Sequence, residues 1–394
     1  MLRCHQMADP SAPSVNLTTV PADPVQICTF FSFPQTRIPF AVPASSLIVL
    51  GGSAGAMPAL LNLVDQLPPE LPAAVLVVLH FAAEMDGRLP VQRLRRNTAL
   101  PCQLAVEGMI PENGQLYLAP PDRHLLVSGP KILVRAGPRE NRFRPAVDAL
   151  FRSAAVSFGQ KTTGVILSGM LHDGSAGIEF IKRCGGFAVV QDPDDSQYPS
   201  MPATAISAVP VDYIVPVSGM GALLVQLTDK MKEQPFNSQD LPEDLKAEAA
   251  IAERVVGNVK AVDGIGTLAA LSCPDCGGSL WELKHGTVQR FRCHTGHAFT
   301  AGELLLDNRK DLEETLWVAL RMMEEQKLLL SRMGRRGGAF VNDGQGERIN
   351  ELKKHLDRLR RLLLTRPEEL LAAGSSAGAD EENHHPPSTG PAVA

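Results

Sequence analysis

No stretch of the chain reaches the about eighteen consecutive apolar residues that a membrane helix needs. Residues 1–40 also lack the basic start, long apolar core and small-residue cleavage site of an export signal. Both absences predict no membrane insertion and a cytoplasmic protein. A basic excess is missing too. With 38 Lys and Arg against 43 Asp and Glu, the net charge of −5 removes the electrostatic ground for a nucleic-acid partner. Nor do the cysteines suggest a disulfide framework: Cys4, Cys28, Cys102 and Cys184 are scattered singly, as in a chain whose thiols stay reduced. Residues 1–43 are rich in Pro, Ser, Thr and Ala and show no alternation of strand and helix, so they are expected to form a flexible arm. What remains, in a chain of 394 residues that is 44% hydrophobic, can bury one large core and a smaller second unit.

The most informative local pattern surrounds Ser53. The apolar run Ser46–Leu50 stops at Gly51-Gly52-Ser53-Ala54-Gly55, and a helical pattern begins at Met57. A strand that turns sharply into a helix through small residues holds a serine hydroxyl at the sheet edge, beside the free N–H groups of the helix start. The same pattern also occurs in phosphate-binding turns and in plain turns, so it does not decide alone. Two more apolar runs end in chemically useful residues. Ala73–Leu79 ends in His80, and Thr163–Leu167 leads through Met170 to Asp173. In an open parallel sheet the carboxyl ends of strands share one edge, so Ser53, His80 and Asp173 are expected to meet there. Serine needs an imidazole to take its proton, and the imidazole needs a carboxylate to fix its tautomer.

The chain order Ser, His, Asp departs from the order of ordinary α/β-hydrolases. Residues 44–226 resemble the catalytic domain of the CheB-type chemotaxis protein-glutamate methylesterases. The likeness rests on Gly51–Gly55, Val78–His80, Tyr117–His124, Asn141–Asp148, Leu167–Met170 with Asp173-Gly174, and Met201-Pro202, in that order. It implies Ser53 as nucleophile, His80 as base and acid, and Asp173 as the orienting carboxylate. It further implies hydrolysis of the γ-methyl ester of receptor glutamates, with glutamine deamidation as a second acyl transfer and no catalytic cofactor. Backbone N–H groups at Ala54, Gly55 and Met170 are the candidates for an oxyanion hole. Asn141 and Arg142 are candidates for substrate contact, with support of their loop as the alternative. His124 is expected to be structural, and His172 to sit at the cleft rim or in solvent. Methylated chemoreceptor-type proteins are the implied partners, with a separate receiver protein or a methyltransferase as further candidates; no receiver pattern precedes the esterase region, so control by aspartyl phosphorylation within the chain is not expected.

A second feature lies further on. Cys273-Pro274-Asp275-Cys276-Gly277-Gly278 is a knuckle whose spacing lets both thiolates reach one ion, and Cys293-His294-Thr295-Gly296-His297 follows. Cys273, Cys276 and Cys293 with His297 form a candidate tetrahedral zinc set; His294 is the alternative fourth ligand. Residues 280–283 and 289–292 alternate like a hairpin, which makes a zinc-ribbon-like module the economical reading. Four protein ligands predict a structural ion that serves the module and leaves catalysis alone. Beyond it, Thr300 and Glu303 form a capping box for a first helix, and Ile349, Leu352, Leu356, Leu359 and Leu363 stripe a second. The expected fold is α/β, a doubly wound, mostly parallel sheet with helices on both faces over 44–230. A linker containing an acidic helix runs over 231–262, a ribbon over 263–300, a helical pair over 301–373 and a disordered tail over 374–394. An esterase is the leading function. A docking protein that keeps the old fold without its chemistry, and a serine esterase acting on another ester, are the alternatives.

Overall fold

The computed structural model describes residues 42–232, 241–254, 259–335 and 344–364. Most of the arm expected over 1–43, the tail over 374–394 and most of the loop between the helices of the pair lie outside the described residues.

The esterase region runs β1 (Leu47–Gly52), α1 (Ala56–Asp65), β2 (Ala74–Leu79), α2 (Arg88–Arg95), β3 (Cys102–Leu104), β4 (Leu116–Leu118), then a hairpin of β5 (His124–Ser128) and β6 (Lys131–Arg135). It continues through α3 (Val147–Phe158), β7 (Thr162–Ile166), α4 (Ser175–Arg183), β8 (Phe187–Gln191), α5 (Ser200–Ala208), β9 (Tyr213–Val215) and α6 (Val217–Lys232). Seven of these strands form one sheet in the order β3-β4-β2-β1-β7-β8-β9. Every pairing in it is parallel.

Sequence alternation decides which face each side chain covers. Along β1, Leu47 and Val49 join a core with α3, α4 and α5, while Ile48 and Leu50 join a second core with α1, α2 and α6. Both faces of β1 and β2 are therefore buried, which explains why these strands read as unbroken apolar runs. From β1 the chain builds outward through β2 and then returns to place β7 on the other side. The reversal leaves a crevice above the carboxyl ends of β1, β2 and β7, where open parallel sheets carry their sites.

The remaining elements are α7 (Glu243–Glu253), α8 (Val259–Ile265), β10 (Gly266–Ser272), β11 (Ser279–Leu283), β12 (Arg290–Cys293), β13 (Ala298–Thr300), α9 (Ala301–Arg335) and α10 (Gln345–Leu364). The four strands form an antiparallel sheet, with β11 and β12 the hairpin expected from their alternation. α9 and α10 run antiparallel, since Arg360 pairs with Glu324 while residues 348–355 lie beside Gln326 and Leu330. The described residues from 42 onward belong to one compact unit, with the ribbon docked against Glu140, Asn141 and Glu179 of the esterase region. The acidic helix expected in the linker is α7. It buries Leu245 in the α3-side core and inserts Glu248 among arginines.

That docking is partly ionic. Arg152 of α3 and Arg292 of β12, 2% and 1% exposed, both bond Glu140, at 2.6 and 3.1 Å. Burial alone would raise the Glu140 pKa, but the two guanidiniums outweigh it and hold the carboxyl far below its ordinary value of 4.5. A depressed carboxylate contributes stability above its unfolded pKa and loses it as the pH falls through the folded one. Glu140→Gln should thus cost about 3–5 kcal/mol at neutral pH, because it leaves buried guanidiniums underpaired. In urea titrations the gap to the parent should shrink steadily below about pH 4.5. A gap of unchanged size in acid would refute this account of the docking.

Candidate active site

Ser53 follows the last residue of β1, and its N–H bonds the Ser168 carbonyl at 3.0 Å, tying the β1 and β7 strand ends together. Gly55 caps α1 with φ 71°, a left-handed conformation, and a Cβ there would lie 2.8 Å from Ser168 Oγ and from Gln197 Oε1. A side chain at Gly169 would come within 3.1 Å of the Ser53 Cβ, so small residues keep the space around the hydroxyl open. Among the described residues the N–H groups of Ala54 and Gly55 take no partner, which leaves them free for an anion at the start of α1. Met170 is 49% exposed at the rim of the crevice.

His80 follows β2, and its Nε2 lies 2.9 Å from Asp173 Oδ2. An ionised carboxylate only accepts hydrogen bonds, so the neutral ring carries its proton on Nε2. Nδ1, buried and without a partner among the described residues, keeps its lone pair. Phe143 stacks on the ring with centroids 3.6 Å apart and planes 7° from parallel, which restricts rotation of the imidazole.

Asp173 is fully buried. Its Oδ2 also accepts the Val147 N–H at 2.6 Å, and its Oδ1 accepts the Asp148 N–H at 3.1 Å and the Asn141 Nδ2 at 3.2 Å. Helix α3 has no side-chain cap of its own. Asp173 therefore acts as that cap from across the fold, with the helix N-terminus favouring its negative charge. Asp148 lies next to it, accepting the N–H groups of Gly174 and Gly177 and the Asn141 amide. Burial and the Asp173 charge push Asp148 up to about 8.

The structure separates the remaining sequence candidates. Asn141 is 2% exposed and faces away from solvent. Its Nδ2 bridges Asp148 and Asp173, and its Oδ1 accepts the Thr300 N–H at 2.9 Å. Arg142 is paired with Glu303 at 3.2 Å and Asp307 at 3.0 Å on α9. Both residues have positive φ, 48° and 70°. They form the centre of a tight turn closed by Glu140 and Phe143, whose N–H groups each reach the other's carbonyl. His124 is structural: its Nε2 meets the Pro138 carbonyl and its Nδ1 accepts the Ala146 N–H. His172 packs on Gly302 at the start of α9, and its N–H bonds Glu303.

Val147 and Asp148, which donate to Asp173, and Phe143, which stacks on His80, carry no signal of their own in the sequence: nothing in the spacing of Asn141–Asp148 says that the helix start inside it meets residue 173. The capping box at Thr300 is half formed. Its hydroxyl accepts the Glu303 N–H at 3.3 Å, but the Thr300 N–H goes to Asn141 instead of to Glu303.

In the ribbon, ligand atoms of Cys273, Cys276, Cys293 and His297 all lie within 4.8 Å of one another. The Sγ atoms of Cys276 and Cys293 are 3.8 Å apart, and His297 Nδ1 is 3.7 and 3.5 Å from the Sγ of Cys273 and Cys293. A tetrahedron with bonds of about 2.3 Å to sulfur and 2.0–2.1 Å to nitrogen has edges of about 3.5–3.8 Å, so the donor set fits zinc. Asp275 Oδ2 lies 3.8 Å from the outer nitrogen of His297, where a carboxylate would steady a metal-bound imidazole. His294 is outside the group and lies edge-on to Trp281.

The CheB methylesterase family model matches residues 48–224. A provisionally named protein-glutamate methylesterase/protein-glutamine glutaminase of Leptospira interrogans is 35% identical over 188 residues, 48% of this chain and 97% of that protein. An enzyme of the same name from Pyrococcus abyssi is 33% identical over 196 residues; these are 49% of this chain and 53% of that protein. Among solved structures, the CheB methylesterase catalytic domain of Thermotoga maritima is 30% identical, with a TM-score of 0.45, over 46% of this chain and 98% of that one. The chain belongs to the CheB methylesterase family of hydrolases.

Proposed function

We propose that the chain hydrolyses γ-methyl esters of glutamate side chains, and deamidates glutamines, on chemoreceptor-type proteins. The observation that carries this reading is the His80 to Asp173 contact, which leaves Nδ1 without a partner among the described residues, on a residue whose N–H bonds the carbonyl of Gly52, the residue before Ser53. Ser53 Oγ attacks the ester carbonyl as His80 Nδ1 takes the hydroxyl proton. The Ala54 and Gly55 N–H groups, with Met170 at the opposite lip, are the candidates to meet the developing oxyanion. Returning the proton to the leaving oxygen of the ester, or to the leaving nitrogen of an amide, releases methanol or ammonia and leaves an acyl-enzyme. Water, deprotonated by the same nitrogen, then frees the carboxylate and restores Ser53. Asp173 stays ionised and stabilises the imidazolium formed in both steps. No step needs a cofactor.

Incubation with methylated receptor fragments and measurement of methanol tests this directly. Ser53→Ala and His80→Gln should each lower turnover by on the order of 10³ or more, since the triad acts as a unit. Asp173→Asn should also cost heavily, because an amide in place of the carboxylate no longer selects the Nε2–H tautomer. Near-parental turnover by Ser53→Ala would leave the docking reading in possession.

We further propose one structural zinc ion per chain, held by Cys273, Cys276, Cys293 and His297. A sheet this small buries little apolar surface, so a metal would supply much of its folding free energy. Metal analysis should return one zinc per purified chain, and Cys273→Ser with Cys276→Ser should expose 266–300 to protease. A metal-free protein whose C-terminal half resists protease would remove the claim.

A further inference from the structure

We propose that β13 and the first turns of α9 are a positioning element for the triad, acting through the Glu140–Phe143 turn. The inference rests on the triad reading above.

The turn reaches the site in two places. Asn141 donates to the Asp173 carboxylate, and Phe143 stacks on the His80 ring. Yet the turn does not hold itself. Its centre has two successive residues at positive φ, and arginine, unlike asparagine, seldom adopts that conformation. Such a shape persists only where its surroundings over-determine it.

The surroundings that do so come mostly from beyond residue 290. The Asn141 N–H donates to the Ala298 carbonyl at 2.8 Å, and Thr300 N–H donates to Asn141 Oδ1 at 2.9 Å, so β13 grips both the backbone and the amide. The second bond also sets the amide's orientation: with its oxygen facing an N–H, Asn141 presents its NH2 group to the two carboxylates. Glu303 and Asp307 pair with Arg142, and Arg292 pairs with Glu140. Glu303 is fully buried and also accepts the N–H of His172, the residue before Asp173. One clamp thus holds the turn and the Asp173 loop together.

The local cost of this arrangement is visible in α9. A complete capping box would return the Glu303 carboxylate to the Thr300 N–H. Here that N–H serves Asn141, and the carboxylate serves Arg142 and His172. The helix start gives up a bond within its own turn in favour of the catalytic loops.

The test uses the full chain and a fluorophosphonate probe, from which Ser53 Oγ displaces fluoride as His80 takes the hydroxyl proton. This reports nucleophile activation without a receptor substrate. The variant Glu303→Gln with Asp307→Asn keeps side-chain shape and removes the two carboxylate charges that face Arg142. It should label about tenfold more slowly, the scale of a small misplacement of reacting groups. The acidic limb of its pH–rate profile should move to lower pH, because a loosened Asp173 supports the imidazolium less. Asn141→Ala should show the same limb shift, and combining it with the α9 pair should add little, since both act through one contact chain. Should the double variant fail to fold, Arg142→Gln removes the same ion pairs at a side chain that is 34% exposed. If the parent itself does not label, the triad reading fails. If the parent labels and the variants match its rate across pH, the clamp proposal is overturned. Faster labelling by the variants would also overturn it, and would make the module a restraint on the site.

Discussion

The structure turns on one buried carboxylate. Asp173 has no access to water, and an ionised group in that position survives only if every acceptor direction is met. Its four donors come from three places: the N-terminus of α3, the Glu140–Phe143 turn and the end of β2. Satisfying it therefore fixes α3 against the crevice, fixes the turn, and aims His80. The same condition explains why α3 carries no cap of its own, since Asp173 occupies the place a capping side chain would take.

Around that carboxylate the fold uses two kinds of glue. The parallel sheet is held by apolar burial on both faces, which is non-directional and tolerant of exchange. The junction between sheet and ribbon is instead ionic. Arg152, Arg290 and Arg292 meet Glu140 and Glu248 in near-complete burial, with Arg152 and Arg290 lying over the Phe180 ring. Buried ion pairs contribute little net stability against apolar side chains of similar size, yet they cost heavily when one member is removed. Such a junction is better suited to fixing one docking geometry than to adding stability. It places β13 alongside residue 140, where a bridge between Glu140 and Ala298 extends the ribbon onto the Glu140–Phe143 turn.

Much of this was legible in the chain. Leu47–Leu50 and Ala74–Leu79 are apolar on both faces, and each run leads to a residue with chemistry, so the strands and the contact between His80 and Asp173 could be anticipated from period and topology. The cysteine knuckles likewise announced their cluster through spacing. What could not be read was where polar groups far apart in sequence would satisfy one another. Asn141 looks like a cleft residue because it is polar and lies in a loop; only its left-handed backbone and buried neighbours turn its amide inward. Thr300 and Glu303 spell a local capping box, and no pattern within the helix reveals that a turn near residue 141 will take the N–H. Nor does the ribbon's spacing reveal that Arg292 and Ala298 would dock against residue 140.

The proposed hydrolysis requires that Asp173 hold His80 in the Nε2–H form and leave Nδ1 as the base. Nitrogen NMR of the full chain labelled at histidine measures this directly, with His80→Gln identifying the resonances. The neutral His80 ring should show a protonated Nε2 and an unprotonated Nδ1, and Asp173→Asn should disturb that tautomer. A neutral His80 protonated on Nδ1 would contradict the account, because the nitrogen left for the serine hydroxyl would then carry no lone pair.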